Sequence, residues 1–153
     1  MKMPRRFALL VLLVSICALI VGGQVQAGVS CQGINAKGVG QDLGGGNTQA
    51  QIRGGGLLNG TTTAHFDITG GSPPELTFQG TVTFFANRAT LTVAIEGTFN
   101  VGTGKFNASG PVSGATGKLA GSTGNLTFDG VENFSDGSFE ETVTGEICVD
   151  LSP

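Results

Sequence analysis

Residues 75–99 read ELTFQGTVTFFANRATLTVAIEGTF and contain two runs in which apolar and polar residues alternate. Such alternation is typical of a β-strand with one buried face, because successive side chains point to opposite sides of the sheet. Asn87 and Arg88 separate the runs, and asparagine tolerates the positive φ angles of a tight turn. The segment therefore predicts an antiparallel hairpin. Its apolar face carries Leu76, Phe78, Val82, Phe84, Leu91, Val93, Ile95 and Phe99.

The same pattern recurs on both sides of this hairpin. Alternating runs occupy residues 61–69 and 139–149, shorter runs surround Phe106 and Phe128, and weaker strands are expected at 29–34 and 48–53. Turns rich in Gly, Asn and Pro separate these runs, and no long segment after residue 27 has the 3.6-residue apolar period of a helix. We therefore predict an all-β fold of about eight antiparallel strands joined by short Gly-rich turns. A closed β-barrel is favoured over a sandwich, because closure leaves no exposed edge strand.

Residues 1–27 have the features of a secretory signal peptide. Basic residues precede an apolar run at 7–21, and Ala27 offers a small residue for cleavage. The run is too short to span a bilayer as a helix, which needs roughly 20 residues. We therefore expect residues 28–153 to form a single β-barrel domain that is secreted to an extracellular or periplasmic space. No membrane association is expected after cleavage.

Removal of this segment makes the chain strongly acidic. Five Lys and Arg residues and eleven Asp and Glu residues remain, so the formal net charge is −6. A protein of this charge repels phosphate backbones and anionic lipid surfaces. The composition therefore argues against nucleic acid and membrane surfaces as partners.

Two cysteines, Cys31 and Cys148, lie near the two ends of the predicted domain. In an oxidising compartment such a pair is usually bonded. If the first and last strands pair to close the barrel, the disulfide ties them together at the seam. The parity of the last strand places Cys148 on the outer face, opposite Phe139, Val143 and Ile147. A metal or redox role lacks both the CxxC spacing and histidine ligands.

The segment GPVSGATGKLAGSTG occupies residues 110–124, and its part ATGKLAGSTG at 115–124 is a near-copy of GTGKFNASG at 102–110. Its part from 113 to 124 resembles a segment shared by dirigent proteins and allene oxide cyclase-like barrels, and a looser resemblance covers residues 60–150. The resemblance implies an eight-stranded antiparallel β-barrel in which this segment connects two late strands, with Gly117 and Gly121 at turn positions. It also implies, as an alternative function, an isomerase or cyclase that works in an apolar cavity. The chain has no Tyr and no Trp, so we carry over the fold and leave the activity open.

Few residues are suited to catalysis or cofactor binding. His65 is the single histidine, and strand parity places it beside Asp67 on an outward face, where a solvated surface pair is expected. The Gly-Lys pairs lack the remaining residues of a phosphate-binding loop, so no cofactor or metal is predicted. Glu141 is the one ionisable residue that the pattern places on an apolar face. It is either an acid inside a cavity, with a raised pKa, or a residue at the barrel mouth that reaches solvent.

The leading hypothesis is a secreted, non-catalytic small β-barrel protein that binds an apolar small molecule or a protein partner. One alternative is an isomerase or cyclase of the allene oxide cyclase or dirigent type, with Glu141 as the acid. Another is a purely structural surface protein whose threonine-rich outer face is its working surface. An interior cavity would favour the first two hypotheses, whereas a filled interior would favour the third.

Overall fold

Eight antiparallel strands close on themselves to form a barrel in the computed structural model, which describes residues 28–150. Each strand pairs with its neighbours in sequence, and β8 pairs with β1 to complete the ring. Among these residues, helical structure is limited to two short 3₁₀ turns, at Gly56–Leu58 and Gly117–Leu119. The strands are β1 (Val29–Gly44), β2 (Asn47–Arg53), β3 (Gly60–Ser72), β4 (Glu75–Ala86), β5 (Ala89–Asn100), β6 (Lys105–Ala115), β7 (Thr123–Asn133) and β8 (Ser138–Asp150). The predicted eight-stranded barrel is confirmed, whereas the predicted signal peptide lies outside the described residues.

The hairpin at 75–99 forms as predicted. Strands β4 and β5 pair from Glu75 with Asn100 to Ala86 with Ala89, and the connection consists of Asn87 and Arg88. Both residues have positive φ angles, of 45° and 64°. This is the geometry of a type I′ turn, whose twist matches that of the two strands.

The first strand is much longer than predicted. We expected it at residues 29–34, but β1 continues to Gly44 because its backbone pairs with β8 on one side and with β2 on the other. The inward positions of the extension include Gly38 and Gly40, so the strand carries no apolar alternation there for sequence analysis to detect. Backbone pairing on both sides maintains a strand where the side chains contribute little burial.

The barrel interior alternates large side chains with glycines across neighbouring strands. Ile34 and Leu126 both pair with Gly145, and Phe66 and Ile95 both pair with Gly80. A barrel of eight strands has little interior room, so a small residue beside each large one lets the side chains interdigitate.

One end of the barrel is closed by packed side chains. Leu58 and Leu119, one from each 3₁₀ turn, are buried there together with Phe84 and Ile147. The 113–124 segment belongs to this end, since residues 116–122 connect β6 to β7. Gly117 and Gly121 have φ angles of +61° and +75°, which confirms them as turn positions.

The disulfide lies on the seam between the first and last strands. Cys31 is paired in register with Cys148, and their sulfur atoms are bonded. The side chain of Cys148 is only partly buried, whereas its neighbours Ile147 and Val149 are buried, so the predicted outward orientation is correct. A disulfide that joins the closing strands is typical of proteins from oxidising compartments.

Candidate functional site

A cavity of about 330 Å³ occupies the end of the barrel opposite the closed one. Its walls come from the ends of the strands beside the turns that join β1 to β2, β3 to β4, β5 to β6 and β7 to β8. This volume lies at the lower limit for small-molecule sites in proteins. The interior of the barrel is therefore not completely filled.

Phenylalanine rings form most of the apolar wall. The rings of Phe66 and Phe78 pack with their centres 5.3 Å apart, and those of Phe106 and Phe139 meet edge to face at 6.0 Å. Phe134, from the β7–β8 connection, packs edge to face on Phe99 at 6.0 Å and is itself half exposed. The rings that line the cavity are Phe66, Phe78, Phe99, Phe106, Phe128 and Phe139.

Glu141 points into this cavity from β8, as its strand parity predicts. Its neighbours in register on β1 and β7 are both glycines, Gly38 and Gly130. A Cβ atom placed on Gly38 would lie 2.6 Å from both Cγ and Oε1 of Glu141, so the carboxyl-bearing side chain occupies the space above that glycine. Glycine at this position thus makes room for a large inward acid.

The surroundings of Glu141 favour its neutral form. Within residues 28–150 no protein group donates a hydrogen bond to its carboxylate, and desolvation by the barrel wall raises its pKa from 4.5 to about 7. Glu141 forms part of the interior cavity wall, and it also borders a solvent-open depression on the outer side of the barrel. A carboxyl group with a pKa near neutrality holds and releases a proton at physiological pH.

Two further acids line the cavity, Asp42 from β1 and Glu132 from β7. Desolvation and the nearby charge of Asp42 both raise the pKa of Glu132. The expectation that Glu141 is the one inward ionisable residue was therefore wrong. Asp42 lies beyond the predicted end of the first strand, and Glu132 lies four residues past Phe128, the last apolar residue used to locate β7. Both acids keep the parity of the inward residues on their strands, so longer predictions for β1 and β7 would have placed them in the interior.

The other residues considered in the sequence lie away from the cavity. His65 and Asp67 form an exposed pair on the outer face of β3, with Nε2 and Oδ2 3.8 Å apart. Among the described residues, the one group of metal-ligating side chains that comes together is Cys31, Cys148 and Glu146. Both sulfur atoms of that group are bonded to each other, so neither is available as a thiolate ligand.

The family-like segment makes no contribution to the cavity wall. None of residues 113–124 lines it, and Leu119 instead helps to close the other end of the barrel. A wider depression on the outer side of the barrel, bordered by Lys37, Lys105 and Glu140, is open to solvent, and Phe106 and Glu141 also contribute to its wall. The interior cavity is the candidate site, because six phenylalanine rings and three acidic side chains meet there.

Comparisons with protein-family models, with curated proteins and with solved structures each found no match to this chain. The resemblance to dirigent and allene oxide cyclase-like barrels therefore stays a prediction. Among residues 28–150, no helix is long and apolar enough to cross a membrane.

Proposed function

We propose that this protein is a secreted, non-catalytic β-barrel that binds an apolar small molecule in its interior cavity. The observation that carries the proposal is the aromatic cavity at the open end, about 330 Å³ in volume and lined by six phenylalanine rings. Such a space holds water poorly, because most of its wall offers no hydrogen-bonding partner. An apolar ligand that replaces this water gains the free energy of hydrophobic burial.

Secretion is part of the proposal. It is supported by the predicted signal peptide at residues 1–27 and by the disulfide between Cys31 and Cys148, which is stable in an oxidising compartment. A purely structural role is less well supported, since a barrel with only a scaffolding role gains stability from a filled interior.

Binding of a neutral fluorescent probe, N-phenyl-1-naphthylamine, tests the proposal. We expect a saturable fluorescence increase with one probe per chain. Ala64→Phe and Ala108→Phe fill the cavity from β3 and β6, and each should weaken binding by about tenfold or more, which is about 1.4 kcal/mol. Ala94→Phe is the matched control, because Ala94 is exposed on the outer face of β5.

Two filling variants are used because Ala108 is buried, whereas Ala64 is only partly buried. Unfolding curves show whether each variant is folded. A probe that fails to bind the wild-type protein, or that binds folded Ala64→Phe as tightly as Ala94→Phe, would contradict the proposal.

A second candidate function, an isomerase or cyclase, is favoured by Glu141. Its raised pKa, about 7, and its orientation into the cavity suit a general acid or base. A small ketone with acidic C–H bonds, 2-indanone, probes this activity in deuterated buffer. Deuterium uptake faster than the uncatalysed rate, and lost in Glu141→Gln, would support catalysis, whereas uptake at the uncatalysed rate would leave Glu141 with no chemical role toward this class of substrate.

A further inference from the structure

The ionisable side chains that line the interior cavity are all acidic. Every Lys, Arg and His among residues 28–150 is exposed, and none of them lines the interior cavity. Of the acids in that range, all are exposed except three, and these three are the cavity residues Asp42, Glu132 and Glu141. The cavity is therefore an apolar space with negative charge and no positive charge of its own.

These carboxylates are poorly compensated by the protein. In the described part of the chain no group donates a hydrogen bond to the carboxylate of Glu132 or Glu141, and the carboxylate of Asp42 accepts one, from the backbone N–H of Gly44 at 2.8 Å. Placing an ionised carboxylate in an apolar site is costly unless a cation or hydrogen-bond donors accompany it. A positively charged ligand would supply the compensating charge that the protein itself does not provide.

The aromatic wall favours the same kind of ligand. Phe106 and Phe139 belong to the wall that also holds Glu141, and their ring centres are 6.0 Å apart. Each ring covers a glycine, Gly130 or Gly40, so that its surface lies close to the backbone beside Glu141. The face of an aromatic ring attracts a cation by about 0.5–2 kcal/mol, depending on how much water is removed.

A bare metal ion fits this arrangement less well than an organic cation. The three cavity acids do not form a group whose ligand atoms approach one another within 4.8 Å, as a shared metal ion would require. Most of the remaining wall is phenylalanine and aliphatic, which gives a metal ion no oxygen ligands. The volume, about 330 Å³, equals that of about eleven water molecules and suits a compact organic ligand.

We propose that the cavity selects an organic cation, a compact apolar molecule that carries an amine or a quaternary ammonium group. The apolar body would contact the phenylalanine rings, and the charged group would lie near Glu132 and Glu141. This inference rests on the proposed binding function and adds the chemical class of the ligand.

Three rigid probes of nearly the same shape test the inference: 1-adamantanamine, 1-adamantanol and 1-adamantanecarboxylate. Each is used to displace N-phenyl-1-naphthylamine from the exported, disulfide-bonded protein at pH 8. We expect the amine to bind about tenfold more tightly than the alcohol, and the carboxylate to bind more weakly than either. Glu141→Gln and Glu132→Gln should each reduce the advantage of the amine without weakening the alcohol.

Glu140→Gln is the matched control, since Glu140 is the neighbour of Glu141 on β8 and is exposed. It removes the same charge from the outer face and should leave the ratio of amine to alcohol affinity unchanged. An alcohol or carboxylate that binds as tightly as the amine overturns the inference but leaves the cavity as a binding site. A wild-type protein that does not bind the neutral naphthylamine overturns the proposed function as well.

Discussion

At the scale of single residues, the most informative group is the carboxyl of Glu141. Its position follows from strand parity, since Phe139, Val143 and Ile147 on the same strand are buried and Glu141 shares their face. Its pKa follows from desolvation with no compensating partner. The charged form therefore destabilises the fold relative to the neutral form.

The pH dependence of stability tests this description of Glu141. The folded-state pKa, about 7, lies above the ordinary value of 4.5, so the folded chain binds the proton more tightly than the unfolded chain. The free energy of unfolding should therefore fall by about 3 kcal/mol as the pH rises from 4.5 through 7. Glu141→Gln should lack this fall and be more stable than the wild type at pH 8. Urea unfolding of both proteins at pH 4.5 and at pH 8 measures this fall. The same pH dependence in the wild type and in Glu141→Gln would show that Glu141 does not have a raised pKa.

Gly38 is the second residue that determines the local geometry. An added methyl group would meet Glu141 Cγ at 2.6 Å and Ile52 Cδ1 at 2.9 Å. Gly38→Ala should therefore cost about 1–3 kcal/mol by overpacking, and less when Glu141 is also replaced by alanine. Gly33→Ala on the same strand is the control, because no atom lies within 4 Å of its Cβ position. Equal unfolding midpoints for the two glycine variants would show that Glu141 does not lie over Gly38.

At the scale of strands and turns, the sequence predicted those strands in which apolar and polar residues alternate. Strong alternation located β4, β5 and β8, and from β8 it identified Glu141. It did not reveal the second half of β1, where inward glycines replace apolar residues and backbone pairing alone maintains the strand. Asp42 and Glu132 lie in such extensions, so two of the three cavity acids were not predicted.

The connection from β6 to β7 carries a prediction at this scale. Gly117 has a φ angle of +61°, and a Cβ atom there would lie 2.6 Å from the carbonyl oxygen of Arg88. Gly117→Ala should destabilise the fold by about 1–3 kcal/mol through backbone strain and this clash. Gly114→Ala, whose Cβ would lie 4.0 Å from the nearest atom, should change stability by no more than about 0.5 kcal/mol. Thermal or urea unfolding of both variants decides, and an unaffected Gly117→Ala protein would contradict the turn geometry.

At the scale of the whole molecule, the seam between β1 and β8 holds the ring closed. The disulfide closes a loop with a sequence separation of 117 residues, so it removes much conformational freedom from the unfolded chain. On the chain-entropy model this stabilises the barrel by about 4–5 kcal/mol.

Unfolding of the double variant Cys31→Ser, Cys148→Ser measures this contribution. The variant should lose about 4–5 kcal/mol relative to the oxidised wild type. A reductant should lower the stability of the wild type and have no effect on the variant. Mass spectrometry without reductant should show Cys31 linked to Cys148. Two free thiols in protein prepared without reductant, or equal unfolding midpoints, would show that the disulfide does not stabilise the barrel.

The interior cavity lies at the end of the barrel opposite the closed one, and we propose that a ligand binds there. Crystals soaked with 2-bromonaphthalene test it directly, because anomalous scattering locates the bromine atom. We predict a single bromine peak inside the barrel, among the rings of Phe66, Phe78 and Phe106. Bromine only on the outer surface, or an interior filled by protein side chains in the same crystals, would contradict ligand binding inside the barrel.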